Sequence, residues 1–398
     1  MTHPSFDVIV LGAGPAGTTS ANLLTQAGHR VLVVEKETFP RFHIGESLLP
    51  ADLALFEWLG VDLSDPARFV LKQGAVFLDE RTGDRVDFRF ANGLPGTPPH
   101  AYQVERAEFD LMLADRAAAM GVDIRYGTRA ERVHLSDDGV RVDTSAGTFV
   151  GRYLIDATGQ NAFMSGQLRT RRRIEGLGIA AVGCHFHGLS DAAVAELGET
   201  GNILVFMLED GWAWGIPLAG KRLSVGRVTR ERGISEDTLN TFVANSPTLQ
   251  RLTAGAERVD RITIGNYSYK NDAPAGARYA CVGDSACFLD PVFSSGVTFA
   301  MIGGEKIADL LHTALVAGTE ADPTLAKPLV DYMQHAYDVF GSLCGRFYSA
   351  DLVHRIFFYD SPDPLITRGV VSVLAGDLYR DDNPFQKMLL SDRRRLRV

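Results

Sequence analysis

The sequence predicts an α/β chain in which a parallel, nucleotide-type sheet is joined to a separate antiparallel sheet and closed by helices. Three observations carry that expectation. A glycine-rich loop follows the first apolar run, β-branched and aromatic residues gather between 176 and 232, and helical spacing of apolar residues dominates the last stretch.

The first unit, Phe6 to Glu35, reads FDVIVLGAGPAGTTSANLLTQAGHRVLVVE. The apolar run 8–11 leads into Gly12-Ala13-Gly14-Pro15-Ala16-Gly17, a helical segment, and a second apolar run, 31–34, closed by Glu35. Gly12 permits the tight turn, Gly14 lets backbone approach a pyrophosphate, and Gly17 lets helix pack on strand. The helix N-terminus offers free N–H groups and a positive dipole end to phosphates. Glu35 stands where a carboxylate accepts ribose hydroxyls, and Ala16 and Lys36 belong to the same expected dinucleotide site.

From Gly45, the apolar positions Leu48, Leu49, Leu53, Leu55, Phe56 and Trp58 predict a buried helix ended by Gly60. Residues 70–90 alternate as strands and break at Thr82-Gly83-Asp84, a hairpin, and 92–99 is a glycine- and proline-rich loop. Val104-Glu105-Arg106 opens a helix through Met120. Strands at 122–126, 130–135, 140–144 and 148–155 are expected to continue the parallel sheet. The stretch 176–232, with turns at Gly188, Gly211 and Gly220, predicts an antiparallel sheet roofing a substrate. A helical segment at 234–252, strands at 258–268 and 278–282, and a long helix at 295–317 follow. Residues 327–398 are mostly helical, with a turn at Ser361-Pro362-Asp363-Pro364. The expected division is 1–175 for the nucleotide domain, with 70–105 serving the substrate side, 176–270 for the second sheet, 271–318 for a return, and 319–398 for the helical end.

At 398 residues, 45% hydrophobic and 22% charged, the chain can bury two domains or one large domain with an inserted sheet. A formal charge of −9 and a pI near 5.6 argue against nucleic acid as a main partner, because neutralising phosphates takes a basic surface. Cys184, Cys281, Cys287 and Cys344 lack CxxC spacing, which suits a reducing cytoplasm. No apolar run escapes charges long enough to span a bilayer, so a cytoplasmic location is the expectation. His185 and His187 share one face of an expected strand, yet no third ligand is spaced near them, so no metal is expected.

Three pieces must converge for the dinucleotide to be FAD. Arg41, Glu46 and Ser47 follow the second strand closely enough to reach adenosine or pyrophosphate, and Arg106 opens a helix pointing at the same crevice. Asp156-Ala157-Thr158-Gly159 ends a strand with a sharp turn. Gly283-Asp284 repeats that pattern and places a carboxylate to hold a ribityl hydroxyl, while the helix start at Ser294-Ser295-Gly296 can face the flavin ring. In this order the pieces resemble the FAD-dependent monooxygenase superfamily up to about residue 318.

Gly211-Trp212-Ala213-Trp214-Gly215-Ile216-Pro217 holds two of three tryptophans, two residues apart and so on one face of a strand. Core packing alone explains many such pairs. With Ile216-Pro217 behind it, the segment is similar to the WxWxIP signature of flavin-dependent halogenases; prenyl reductases carry Tyr and Phe where this chain has Trp212 and Ile216. Lys72, in Leu71-Lys72-Gln73-Gly74, reads by itself as a surface lysine but matches the position of that family's essential lysine. The run from Gly283 through Asp290, Pro291, Phe293, Ser294, Ser295, Gly296 and Val297 looks like the family's flavin and halide loop.

The resemblance implies a Rossmann-like FAD-binding domain, an antiparallel substrate sheet and C-terminal helices. It implies Pro291, Gly296 and Val297 beside the flavin and chloride or bromide at Ser294, Ser295 and Gly296. Reduced flavin and O2 would give a C4a-hydroperoxide that a halide attacks to form hypohalous acid. Trp212 and Trp214 would wall the flavin chamber from the organic substrate, and Lys72 would hold the oxidant by hydrogen bond or as a chloramine and deliver halogen to an electron-rich ring. Phe293 stands where tryptophan-type members carry a catalytic glutamate, as in the phenol and pyrrole branch, so a phenolic or pyrrolic substrate, free or on an acyl or peptidyl carrier protein, is implied. The Asp156 turn departs from the pattern of hydroxylases that bind NADPH, which implies FADH2 from a separate flavin reductase. Arg169, Arg171, Arg172 and Arg173, or Arg393, Arg394, Arg395 and Arg397, could dock an acidic carrier, although charge runs are usually solvated faces. The same fold would also suit a flavin monooxygenase or dehydrogenase of secondary metabolism in which Lys72 is structural.

Overall fold

The architecture follows from where apolar runs can hide their two faces. In a computed structural model describing residues 5–230, 233–265, 267–349, 357–358 and 363–391, the strand Phe6–Leu11 lies at the centre of an eight-stranded sheet. It pairs in parallel with Val31–Val34 on one side and Gly147–Asp156 on the other. Asp123–Arg125 and Tyr279–Cys281 extend the parallel core. Val8, Ile9 and Val10 are wholly buried, as a strand covered on both faces requires. Ala130–Ser136 and Gly139–Thr144 join the same sheet antiparallel, contrary to the expected parallel continuation. The reason is the tight turn at Asp137-Asp138: a hairpin reverses the chain, whereas a parallel neighbour needs a crossover.

The helices Pro15–Gln26 and Gly296–Ala317 cross closely, because a Cβ on Gly304 would stand 2.6 Å from the Ala16 carbonyl oxygen. That contact brings both helix starts to one cavity. A second, seven-stranded sheet runs in the order Glu257–Gly265, Ala180–His187, Arg222–Thr229, Gly211–Leu218, Ile203–Leu208, Gly74–Asp79 and Asp84–Arg89. It is antiparallel except where Ile203–Leu208 meets Gly74–Asp79. Strict alternation divides its side chains. Val182, Cys184, Phe186, Phe206 and Leu223 face a separate core under Leu239 and Leu249, while Trp212, Trp214 and Ile216 face the nucleotide sheet in the main core. The helix Asp191–Gly198 interrupts this region unanticipated, although Ser190 caps it by accepting the Ala193 N–H, a signal readable in the sequence.

The helices Lys327–Tyr348, Pro364–Leu374 and Pro384–Ser391 complete the described chain. The aromatic residues of the first are largely core: Tyr337, Phe340, Phe347 and Tyr348 are buried. Ser361 and Pro362 of the expected turn lie outside the described residues, and Asp363 caps the helix that follows. The helix expected from about residue 48 is a short 3-10 turn, Pro50–Asp52, running into Leu53–Leu59. Trp58, expected inside, is 52% exposed because so short a helix buries only the face of Leu55, Phe56 and Leu59. Among the described residues no helix is long and apolar enough to cross a membrane.

Candidate active site

Residues of both sheets enclose a cavity of about 920 Å³. At one end lies the glycine loop. Gly12 has φ +99°, and a Cβ there would meet the Ala157 carbonyl oxygen at 2.5 Å; one on Gly17 would meet the Gly12 carbonyl oxygen at 1.9 Å. Both positions exclude a side chain. Gly14 differs, because a Cβ would approach only the flexible Arg41 guanidinium, at 3.7 Å, so the loop is open where a phosphate would lie. No side chain caps the helix at Pro15, which leaves its first N–H groups for a ligand. Glu35 is fixed at the lip, accepting the Ala13 N–H at 2.8 Å and the Glu37 N–H at 2.8 Å. Each oxygen keeps a lone pair for a hydroxyl. Ala16 and Lys36 also line the cavity.

Arg106 lines the cavity, but its guanidinium is engaged. It donates twice to Asp110, at 2.8 and 3.0 Å, and to the Ile44 carbonyl oxygen at 2.9 Å. Arg41 Nη1 lies 3.2 Å from the same Asp110, whose carboxyl, despite burial, is held low by Arg106 and Arg41. Asp110 was not singled out in the sequence, although its i,i+4 spacing from Arg106 on one helix is a usable signal. It anchors the 41–47 loop over the phosphate end. Glu46 turns to the second sheet, with Oε1 2.5 Å from His185 Nε2. Glu46 Oε2, the Ser47 hydroxyl and the Tyr267 hydroxyl are buried, line the cavity and have no hydrogen-bond partner among the described residues.

Asp284 also faces the cavity; burial pushes its carboxyl up to about 7 while Arg106 pulls it back. Pro291, Ser294, Ser295, Gly296 and Val297 line the cavity, as does Gly159 of the turn beside the glycine loop. Ser294 has φ +59°, and the helix from Gly296 begins without a side-chain cap. Asp156 and Gly283 stand behind the cavity rather than on its wall. Asp156 spends its carboxylate on its own turn, accepting the Thr158 N–H at 3.0 Å, the Thr158 hydroxyl at 2.6 Å and the Met164 N–H at 2.7 Å. Gly283 has φ +60°, and a Cβ there would stand 3.1 Å from Ala300.

Trp212 and Trp214 cover the cavity from the second sheet, ring centroids 5.8 Å apart. Trp214 Nε1 donates to Ser224 at 3.1 Å, and Trp212 Nε1 to Asp290 at 3.1 Å. Asp290 is a buried hub that also accepts the Tyr348 hydroxyl at 2.7 Å and the Gly178 N–H at 3.0 Å. Burial raises its carboxyl. Sequence spacing gave no sign of this hub, since Trp212, Tyr348 and Gly178 come from three distant segments.

Lys72 does not line this cavity. It is 1% exposed, donates to the Leu48 carbonyl oxygen at 2.7 Å and lies 5.3 Å from the centre of the Phe90 ring. Burial pushes its ammonium down to about 7, against the opposing pull of Asp52. Asp52 is itself buried and raised to about 7 by burial, and it accepts the Thr298 hydroxyl at 2.9 Å. Thr298 belongs to the first turn of the helix that starts at Gly296, so Asp52, hydrogen-bonded to that turn, also acts on Lys72 electrostatically. Phe293 packs between Phe77, Phe340 and Phe347 and leaves that position without an acid.

Of the basic clusters, Arg172 pairs with Asp272 at 3.0 Å and Arg171 stacks on Tyr269 at 3.6 Å. Arg393, Arg394, Arg395 and Arg397 lie outside the described residues. The cavity suits a dinucleotide in this structure's own terms. Two uncapped helix starts face it, Arg41 stands beside the open Gly14, and Ser47, Glu46 and Tyr267 hold buried polar atoms toward it without partners among the described residues.

A family model described as tryptophan halogenase matches residues 7–98 and 93–356. Flavin-dependent halogenase armH3 of Armillaria mellea is 31% identical over 349 residues, covering 78% of this chain and 68% of that protein. The 1H-pyrrole-2-carbonyl peptidyl-carrier-protein brominase of Pseudoalteromonas luteoviolacea is 29% identical over 389 residues, covering 94% and 92%. Among solved structures, the flavin-dependent brominase Bmp2 aligns with a TM-score of 0.84 at 26% identity over 98% and 97% of the two chains. A flavoprotein/dehydrogenase of Cytophaga hutchinsonii aligns at 0.86 and 30% identity over 97% and 96%.

Proposed function

Because the chain belongs to the tryptophan halogenase family of flavin-dependent halogenases, we propose that it halogenates an electron-rich phenolic or pyrrolic ring. The observation that carries this reading is Lys72, a buried amine in the electrostatic field of Asp52, which hydrogen-bonds Thr298 in the first turn of the helix at the cavity. A lysine buried without chemistry to do is costly.

Bound as FADH2, FAD supplies with O2 the two-electron oxidation that turns a halide and a proton into hypohalous acid, leaving FAD and water. The loop of Gly12, Gly14 and Arg41 holds the phosphates, Glu35 a ribose, and Asp284 the ribityl chain. The helix start at Ser294, Ser295 and Gly296 holds chloride or bromide. Trp212 and Trp214 keep the organic ring out of the cavity, so only the small oxidant reaches Lys72. There the neutral amine and hypohalous acid give an N-haloamine and water; transfer of halogen to the ring carbon returns the ring proton to nitrogen. With Phe293 in place of an acid, the ring must be reactive by its own electrons, as phenols and pyrroles are. The related brominase acts on a pyrrole held by a peptidyl carrier protein, which supports a carrier-bound or free substrate here, with FADH2 delivered by a separate flavin reductase.

The test supplies FADH2, O2 and bromide or chloride with phenols and pyrroles, free and carrier-bound, and reads products by mass. Halogenated rings support the reading. Hydroxylated products carrying labelled oxygen, with no halogen in any product, would make the protein a monooxygenase instead.

A further inference from the structure

The fold supplies the third ligand that the spacing of His185 and His187 lacked. Their rings stand 6.2 Å apart on the strand Ala180–His187, on the face toward the nucleotide sheet. The neighbouring strand Glu257–Gly265 pairs with it through a bulge: Gly183 opposes Ile262 and His185 opposes Val259, so Asp260 and Arg261 together stand opposite Cys184. Strict alternation would send Asp260 to the face opposite Val259. The bulge, with Asp260 at φ +53°, turns its carboxylate back, and Oδ2 reaches 3.4 Å from His185 Nδ1. One ring nitrogen each of His185 and His187 and a carboxylate oxygen of Asp260 lie within 4.8 Å of one another.

Two further observations point to a ligand. His185 Nε2 is held by Glu46 at 2.5 Å, which fixes the proton on that nitrogen and directs the Nδ1 lone pair at Asp260. His185 Nδ1 and His187 Nε2 are both buried without a hydrogen-bond partner, and His185 is 2% exposed. A lone pair facing a carboxylate is repulsive unless positive charge sits between them. A proton on Nδ1 relieves that contact but leaves His187 Nε2 unsatisfied, whereas a divalent ion satisfies all three groups. Bonds of about 2.0–2.1 Å to a tetrahedral ion place ligand atoms about 3.3 Å apart, close to the His185–Asp260 separation of 3.4 Å.

We propose that His185, His187 and Asp260 form a divalent-cation site, of zinc by its donor set, with water as fourth ligand and Glu46 as the carboxylate that orients His185. Asp260 is half exposed, which gives the ion a path from solvent. Glu46 also lines the flavin cavity, so the ion ties the 41–47 loop to the second sheet.

The test loads full-length, FAD-bound protein with zinc, removes the excess and measures metal by mass spectrometry, with cobalt absorption as a second readout. Stoichiometric zinc is expected, together with the visible bands of a low-coordinate cobalt site. His187→Ala and Asp260→Asn should lose the metal while retaining bound flavin and the wild-type circular dichroism. Glu46→Gln should weaken zinc about 10- to 100-fold. A chelator should lower the melting temperature of the wild type and leave that of His187→Ala unchanged. Wild-type protein that retains no metal after loading, or variants that bind as much as wild type, would overturn the proposal.

Discussion

Lys72 is 1% exposed, so burial drives its ammonium down while Asp52 opposes, and the amine packs against the Leu48 carbonyl oxygen and the Phe90 face. With the ammonium brought down to about 7, the neutral amine forms across the neutral range. Halogenation should therefore rise through pH 7 and level above it. Asp52 opposes the depression, so Asp52→Asn should move the midpoint to lower pH; a midpoint that stays in place would remove Asp52 from the site. These residues were legible to different degrees. Lys72 was found only by resemblance, because its own sequence context reads as surface. Asp52 and Thr298, 246 residues apart, meet only in the fold. Arg106 was found, but its partner Asp110 shows why it reaches the cavity as an anchor rather than as a free cation.

The glycine loop separates two kinds of constraint at the scale of elements. Gly17→Ala puts a methyl into backbone, 1.9 Å from the Gly12 carbonyl oxygen, and should prevent stable folding. Gly14→Ala meets only a movable guanidinium at 3.7 Å, so the melting temperature should stay near wild type. FAD affinity, read by fluorescence titration, should fall by about tenfold or more, equivalent to about 1.4 kcal/mol. The strand–loop–helix–strand unit, the antiparallel second sheet and the long helix at Gly296 were all legible, because each carries its own period and its own glycine punctuation. The antiparallel hairpin at Asp137-Asp138 was misread as part of an alternating βα pattern. Trp58 was placed inside because apolar spacing over a few residues does not tell which face a short helix buries.

The two large sheets meet across the cavity, and Trp212 of the second donates to Asp290 in the loop that leads to the helix at Gly296. Trp212→Phe leaves the buried Asp290 carboxylate short of a donor and should cost about 1–3 kcal/mol in denaturant unfolding. The Asp52–Lys72 pair gives the protein a pH signature. Between pH 3.8 and about 7, folded Asp52 keeps a proton that the unfolded chain has lost, so stability falls as pH rises. Between about 7 and 10.5 the unfolded chain keeps a proton on Lys72 that the folded state has lost, so stability rises again. Unfolding measured across pH should show this valley in the wild type relative to Asp52→Asn/Lys72→Met, in which it should be flattened. How the second sheet came to face the first was not legible, because that arrangement rests on contacts such as Trp212–Asp290 and His185–Glu46 between distant segments.

The most direct measurement supplies wild type and Lys72→Met with FADH2, O2, bromide and a reactive phenol, and follows ring bromination and trapped hypobromite per FADH2 oxidised. Lys72→Met should oxidise FADH2 and release trappable hypobromite while ring bromination falls by about 10²- to 10⁴-fold. Ring bromination by Lys72→Met at the wild-type rate would contradict delivery of the halogen by Lys72.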